Sequence, residues 1–129
     1  MNGGSRTGPL RVYVVEDSVS LRRALIHEFK QISGLEIVGE ADSVAEANVA
    51  VREVRPDVLI LDFHLRDGNA LHVLQTLQND AHCPLSIVIT NDPLNTHREA
   101  CLAAGATRFL DKSLDFAGLL ALLAKLAGG

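Results

Sequence analysis

Short apolar runs alternate with amphipathic stretches of helical period, five times along the chain. The runs are RVYVV (11–15), EIVGEA (36–41), VLILD (58–62), LSIVIT (85–90) and TRFL (107–110). Behind the first, Leu21, Leu25, Phe29 and Ile32 share one helical face, with Ser18 or Ser20 to cap its start and Gly34 to end it. Ser43 and Glu46 form an S-x-x-E capping box before Val44, Ala47, Val51 and Val54, and Pro56 closes that helix. Asn69 can cap a third helix carrying Leu71, Leu74 and Leu77 inward. A fourth is expected from near Pro93 to Gly105, and the last presents Phe116, Leu119, Leu120, Leu123 and Leu126. Continuous apolar strands between such helices predict a parallel sheet covered on both faces. The expected fold is α/β, a doubly wound five-stranded sheet. A length of 129 residues suits one domain. It is expected over 10–127, behind a flexible N-terminal lead-in at 1–9.

Several function classes are disfavoured. The net charge is −4 and Lys and Arg do not cluster, which argues against direct nucleic-acid binding. No run of about 18 apolar residues is present to cross a membrane, and MNGGSRTGPL lacks the apolar centre of a secretory signal. A cytoplasmic location is expected. Cys83 and Cys101 match no metal or redox spacing and read as free thiols. His27, His64, His72, His82 and His97 are scattered, so no zinc site is expected among them.

In a doubly wound parallel sheet all strands end at one edge, and ligands bind outside that edge. Glu16 and Asp17 follow the first run, Asp62 ends the third, Thr90 ends the fourth, and Lys112 lies just past the fifth. Asp42, after the second, is less telling. Turn and capping chemistry explains any one of these alone; five at one edge is a sharper coincidence. Clustered carboxylates raise one another's pKa, and a divalent cation relieves them. An all-oxygen acidic set favours Mg2+ or Mn2+. Lys112 and Thr90 then add an ammonium and a hydroxyl on the opposite side, an arrangement suited to a phosphoryl group.

With these residues in view, the sequence resembles the receiver domain of bacterial two-component response regulators, a flavodoxin-like (βα)5 fold. Glu16-Asp17, Asp62, Thr90 and Lys112 stand in that family's order. FHLRDG after Asp62, Gly105-Ala106 before the fifth strand, and Phe109 three residues before Lys112 match its motifs. The resemblance spans 11 to about 127. It implies that Asp62 accepts a phosphoryl group from a phosphohistidine on a sensor histidine kinase or a histidine phosphotransfer protein. Glu16, Asp17, Asp62 and the backbone carbonyl of His64 would hold Mg2+, with Mn2+ an alternative. Lys112 would bind a phosphoryl oxygen. Thr90 and Phe109 would switch, with Phe109 following inward, and the face of helix four, strand five and helix five would be repacked for a downstream protein. Leu94, Leu102 and Phe109 make that face a candidate homodimer surface on phosphorylation. His64 and Asp92, two residues past Asp62 and Thr90, would tune the lifetime of the phosphate; Asp92 could instead cap the fourth helix.

The sequence departs from the family at three places. Arg66 stands where many receivers have proline and reads as a solvated loop residue. His64 occupies a variable position. Lys112-Ser113 replaces a common Lys-Pro, and a cis bond there would cost about 3 kcal/mol. Ser113, GLEIVGEA and RPDVLILD look most like receivers with a helix-turn-helix output. The chain is thus expected to be a single-domain regulator or a receiver excised from such a protein, with its downstream target or output domain missing. The alternative is a phosphorylation-independent pseudo-receiver acting as a protein-binding module, which has no need of these acids and Lys112. A haloacid-dehalogenase-type phosphatase wants a second Asp where His64 stands. A flavodoxin-like electron carrier wants a glycine-rich loop where EDSVSLR stands.

Overall fold

A computed structural model describes residues 8–92 and 94–128. Pro93 and residues 1–7, most of the expected lead-in, lie outside the described residues. Strands β1 (Leu10–Val15), β2 (Leu35–Ala41), β3 (Val58–Asp62), β4 (Leu85–Thr90) and β5 (Arg108–Asp111) form one parallel sheet in the order β2-β1-β3-β4-β5. Helices α1 (Val19–Lys30), α2 (Val44–Val54), α3 (Ala70–Leu77), α4 (Asn95–Ala103) and α5 (Phe116–Gly128) follow the strands in turn. This is the doubly wound sheet that the alternation predicts and the flavodoxin-like fold that the resemblance implies.

The two faces are covered as the apolar pattern requires. Leu25, Ile26 and Phe29 of α1 pack with Leu119 and Leu123 of α5 against Val12, Val14, Ile60, Ile87 and Ile89. On the other face α2, α3 and α4 cover Tyr13, Val15, Leu59, Leu61 and Val88. Central β3 is buried at all five residues, so its alternate side chains enter both cores. Between Val12 and Tyr13 the β1–β2 register slips, leaving Val38 as the extra residue of a bulge and setting Tyr13 opposite Gly39. A Cβ at Gly39 would lie 2.5 Å from Tyr13 Cε2, so glycine makes room for the ring.

Several local expectations need correction. Helix α1 stops at Lys30 with Gln31 as its C-cap, before Ile32; Gly34 (φ +83°) instead makes the turn into β2. Ser18, not Ser20, caps α1 by accepting from Leu21 N–H at 3.3 Å. In α3 the buried set is Ala70, Val73, Leu74 and Leu77, with Leu71 only partly covered. Strand β5 begins at Arg108, one residue later than expected. The N-cap of α4 is Leu94, without a side-chain cap; Asp92 contributes only its carbonyl, which accepts from Leu94 N–H at 2.9 Å. Asp92 therefore does not cap α4 through its carboxylate.

Candidate functional site

The C-terminal ends of β1, β3 and β5 bring Glu16, Asp17, Asp62 and Lys112 to one cleft, while Thr90, at the end of β4, is buried and does not line it. Asp62 ends β3, the central strand, and is 4% exposed; Glu16, one residue past β1, is 1% exposed. Asp17 stands exposed beside them. One oxygen from each of Glu16, Asp17 and Asp62 lies within 4.8 Å of the others. From beyond β5, Lys112 Nζ reaches Glu16 Oε1 at 2.9 Å and Asp62 Oδ1 at 3.2 Å. Thr90 is fully buried, and its Oγ1 accepts from Asp92 N–H at 3.1 Å. A cleft of about 290 Å³ opens over the group, lined among others by Glu16, Asp17, Asp62, His64, Asp92 and Lys112.

Local hydrogen bonds place Glu16 and the turn that follows Asp62. Glu16 N–H donates to Ala41 O at 3.0 Å, and Glu16 O accepts from Arg22 Nη1 at 2.7 Å. Glu16 Oε2 accepts from Ser18 N–H at 3.2 Å. After Asp62 the chain makes a short antiparallel pair, His64 with Asn69 and Leu65 with Gly68. Its tip is tied to α2: Asp67 Oδ1 accepts from Val44 N–H at 2.6 Å and Oδ2 from Ala45 N–H at 3.1 Å. Ser43 caps α2 as expected, accepting from Glu46 N–H at 3.2 Å, but the Glu46 carboxylate reaches back to Asp42 N–H at 3.4 Å. A Cβ at Gly68 would lie 2.5 Å from His72 Nδ1, which itself accepts from Asn69 N–H. Arg66 pairs with Asp42 at 2.8 Å on the surface, in keeping with its reading as a solvated residue.

The electrostatics are those of crowded acids around one ammonium. Burial pushes the Glu16 carboxyl up to about 7; the charge of Asp62 adds to this, and Lys112 and the Ser18 N–H oppose it. Burial also raises Asp62, against Lys112 and with help from Asp17. For Lys112, burial works to lower the ammonium, but the bond to Glu16 and the charges of both acids prevail and raise it. Site charge is thus negative in excess. The donor set is all oxygen, as Mg2+ requires, and its oxygens already lie within 4.8 Å of one another. The three acids fit the ion.

No peptide bond among the described residues is cis, so Lys112-Ser113 is trans. The turn is instead secured by Asp111, which accepts from Ser113 N–H at 2.7 Å and Leu114 N–H at 2.9 Å. Phe109 already lies inward: it is 1% exposed, edge-on to Phe63 at 6.5 Å, with Arg98 at 5.4 Å over its ring. Sequence reasoning misses the site roles of Ser18, Asp67, Phe63 and His97. The S-x-x-L at 18–21 signals only a cap, and nothing in the order of residues announces that His97 stacks on Phe63. Cys83 and Cys101 are both free, as expected; burial raises the Cys101 thiol to about 11.

Comparison with known proteins follows the same lines. The sequence profile of the response regulator receiver domain matches residues 12–124. The chain is 33% identical to the DNA-binding transcriptional activator DevR/DosR of Mycobacterium tuberculosis, over 81% of this chain and 48% of that protein. It is 35% identical to protein-glutamate methylesterase/protein-glutamine glutaminase 5 of Myxococcus xanthus, over 81% of this chain and 30% of that one. The chain thus spans about half the length, or less, of these relatives. Among solved structures, the signal receiver domain of the putative response regulator NarL from M. tuberculosis superposes with a TM-score of 0.85 at 22% identity, covering 95% of this chain and 98% of that one. The response regulator domain of Thermotoga maritima CheB gives 0.79 at 26% identity, covering 93% and 95%. With the sheet order, the edge acids and the profile in agreement, this chain belongs to the response regulator receiver domain family.

Proposed function

We propose that the chain accepts a phosphoryl group on Asp62 from a phosphohistidine and signals through the α4–β5–α5 face. The observation that carries this is Asp62 itself: a carboxylate at the end of the central strand, beside two further acids, with Lys112 Nζ 3.2 Å away and an open cleft above. A carboxylate oxygen of Asp62 attacks phosphorus, the P–N bond to the donor imidazole breaks, and the imidazole nitrogen takes up a proton. Lys112 turns from its carboxylates to a phosphoryl oxygen, and the Thr90 hydroxyl leaves Asp92 N–H to donate to another. Glu16, Asp17, Asp62 and the His64 carbonyl would hold Mg2+, with Mn2+ an alternative. The ion, when bound, neutralises the acids and the transferred charge.

Thr90 and Phe109 carry the switch. The moving Thr90 pulls on the segment entering α4, and Phe109, with Arg98 over it, passes the change to the face where Leu94 and Leu102 are exposed. That face suits a downstream protein, an output domain, or a second copy of the phosphorylated chain. The donor is a sensor histidine kinase or a histidine phosphotransfer protein. The domain is the unit 10–127, and its place is the cytoplasm; no helix among the described residues is long and apolar enough to cross a membrane. The chain acts as a phosphoacceptor that catalyses only its own phosphorylation and dephosphorylation. His64 and Asp92, both exposed at the cleft, tune the lifetime by their contacts with attacking water; an unchanged half-life after replacing each would remove that role.

The test is intact mass after incubation with acetyl phosphate, with and without Mg2+, beside Asp62→Asn. One added phosphoryl group that needs both Mg2+ and Asp62 is the expected result. No adduct and no Mg2+ binding would overturn the reading in favour of a phosphorylation-independent binding module.

A further inference from the structure

Phe63 follows Asp62 directly, and the sheet fixes it. Its N–H donates to Ile89 O at 2.9 Å and its carbonyl accepts from Ala70 N–H at 2.8 Å. Its buried ring stacks on His97 of α4, with centroids 4.2 Å apart and planes at 16°.

Helix α4 is otherwise lightly held. Cys101 is its one fully buried residue. Leu94, Asn95 and Thr96 are exposed, so His97 is the first residue of the helix to enter the body of the protein. The segment leading from Thr90 to α4 is tied by Asp92 N–H donating to Thr90 Oγ1 at 3.1 Å. His97 Nδ1 is buried and finds no hydrogen-bond partner among the described residues. The stack therefore combines a favourable ring contact with a stranded polar nitrogen that offsets part of it.

We propose that His97 is a positioning residue: its stack on Phe63 latches the start of α4 to the acceptor strand, and the latch opens when Asp62 is phosphorylated. This rests on the reading of Asp62 as phosphoacceptor. When Thr90 Oγ1 turns to a phosphoryl oxygen, Asp92 N–H loses its partner and the segment before α4 shifts. Phe63 cannot follow, because both its backbone groups are held. His97 leaves the ring, and its Nδ1 gains access to water. This path runs through the residue next to Asp62, whose ring also meets Phe109 edge-on at 6.5 Å. A contact made in one state only must appear as a difference in affinity for whatever favours the other state.

Beryllofluoride with Mg2+, a stable stand-in for a phosphoryl group on a carboxylate, provides the measurement. Its affinity is read by amide NMR on the wild type, His97→Ala and His97→Phe, alongside Tm and Mg2+ affinity without beryllofluoride. His97→Ala removes the stack together with the stranded nitrogen and is expected to bind beryllofluoride about two- to fivefold more tightly, part of the worth of one aromatic pair. His97→Phe keeps a stack without the stranded nitrogen and is expected to bind it more weakly than wild type. Mg2+ affinity is expected to stay the same in both. A purely structural role would change Tm and leave all three beryllofluoride affinities equal; that result, or shifts of both variants in one direction, would overturn the latch. Failure of the wild type to take up beryllofluoride would instead overturn the acceptor reading, and the latch with it.

Discussion

Replacing Lys112 with methionine keeps most of the side-chain volume and removes the ammonium between two buried acids. At an effective dielectric of about 20, unit charges at the observed 2.9 and 3.2 Å attract by roughly 6 and 5 kcal/mol. The stability lost is much smaller, because the acids can take up protons instead of remaining charged and unpaired. Glu16 already stands at about 7, and loss of Lys112 sends it higher. At pH 8 the Glu16 share is therefore limited to protonation one unit above its present value, about 1.4 kcal/mol. Asp62, raised by the same burial, loses the same partner, and the total loss at pH 8 is expected at about 1–3 kcal/mol, as for other broken buried networks. At pH 5.5 Glu16 is already protonated in the wild type, so its share vanishes. Urea unfolding without metal at the two pH values measures the difference. A loss of equal size at both would refute the reasoning and assign the effect to packing of the lysine stem.

Four further outcomes are expected. Protons compete with metal at Glu16, so the Mg2+ Kd should rise about tenfold per pH unit below 7 and flatten above it. Because the folded value of Glu16 lies above its ordinary 4.5, its contribution to metal-free stability is full below 4.5 and lost as pH rises through about 7; added Mg2+ should thus raise Tm more at pH 8 than at pH 5.5. Asp67 is lowered by the Val44 N–H and then the Ala45 N–H, so its contribution is present above its ordinary 3.8 and lost as pH falls through the lower folded value; the Tm gap between wild type and Asp67→Ala should close on acidification. Gly39→Ala drives a methyl into the Tyr13 ring and should cost about 1–3 kcal/mol in urea unfolding.

Long-period features are legible in the sequence. The five apolar runs mark the strands within a residue or so, and β3 and β4 at their observed bounds; β3 is the clearest because a strand buried on both faces is nearly continuously apolar. The edge residues can be placed together from the order of elements alone, because a parallel sheet sends every strand end to one side. What stays hidden depends on contacts between distant segments. The buried face of α3 includes Val73 rather than Leu71, since the direction of approach of neighbouring helices selects among apolar residues one or two places apart. Asp67 reads as a turn residue in RDG; only the closeness of α2 makes its carboxylate a clamp on Val44 and Ala45. Asp111 securing the turn at Ser113 is likewise invisible until the chain has folded back on itself.

Gly34 has a consequence for reach. Leu10 N–H, at the start of β1, donates to Gly34 O at 2.8 Å, and a Cβ on Gly34 would lie 3.1 Å from Ala127 O, near the end of α5. Both ends of the folded unit thus meet at one point on the edge of the sheet opposite the acids. Strands of five or six residues separate the two edges by about 20 Å. A segment joined at either end starts out of direct reach of Asp62, so news of its chemical state has to travel along the helices or by way of a flexible tether long enough to fold round the domain.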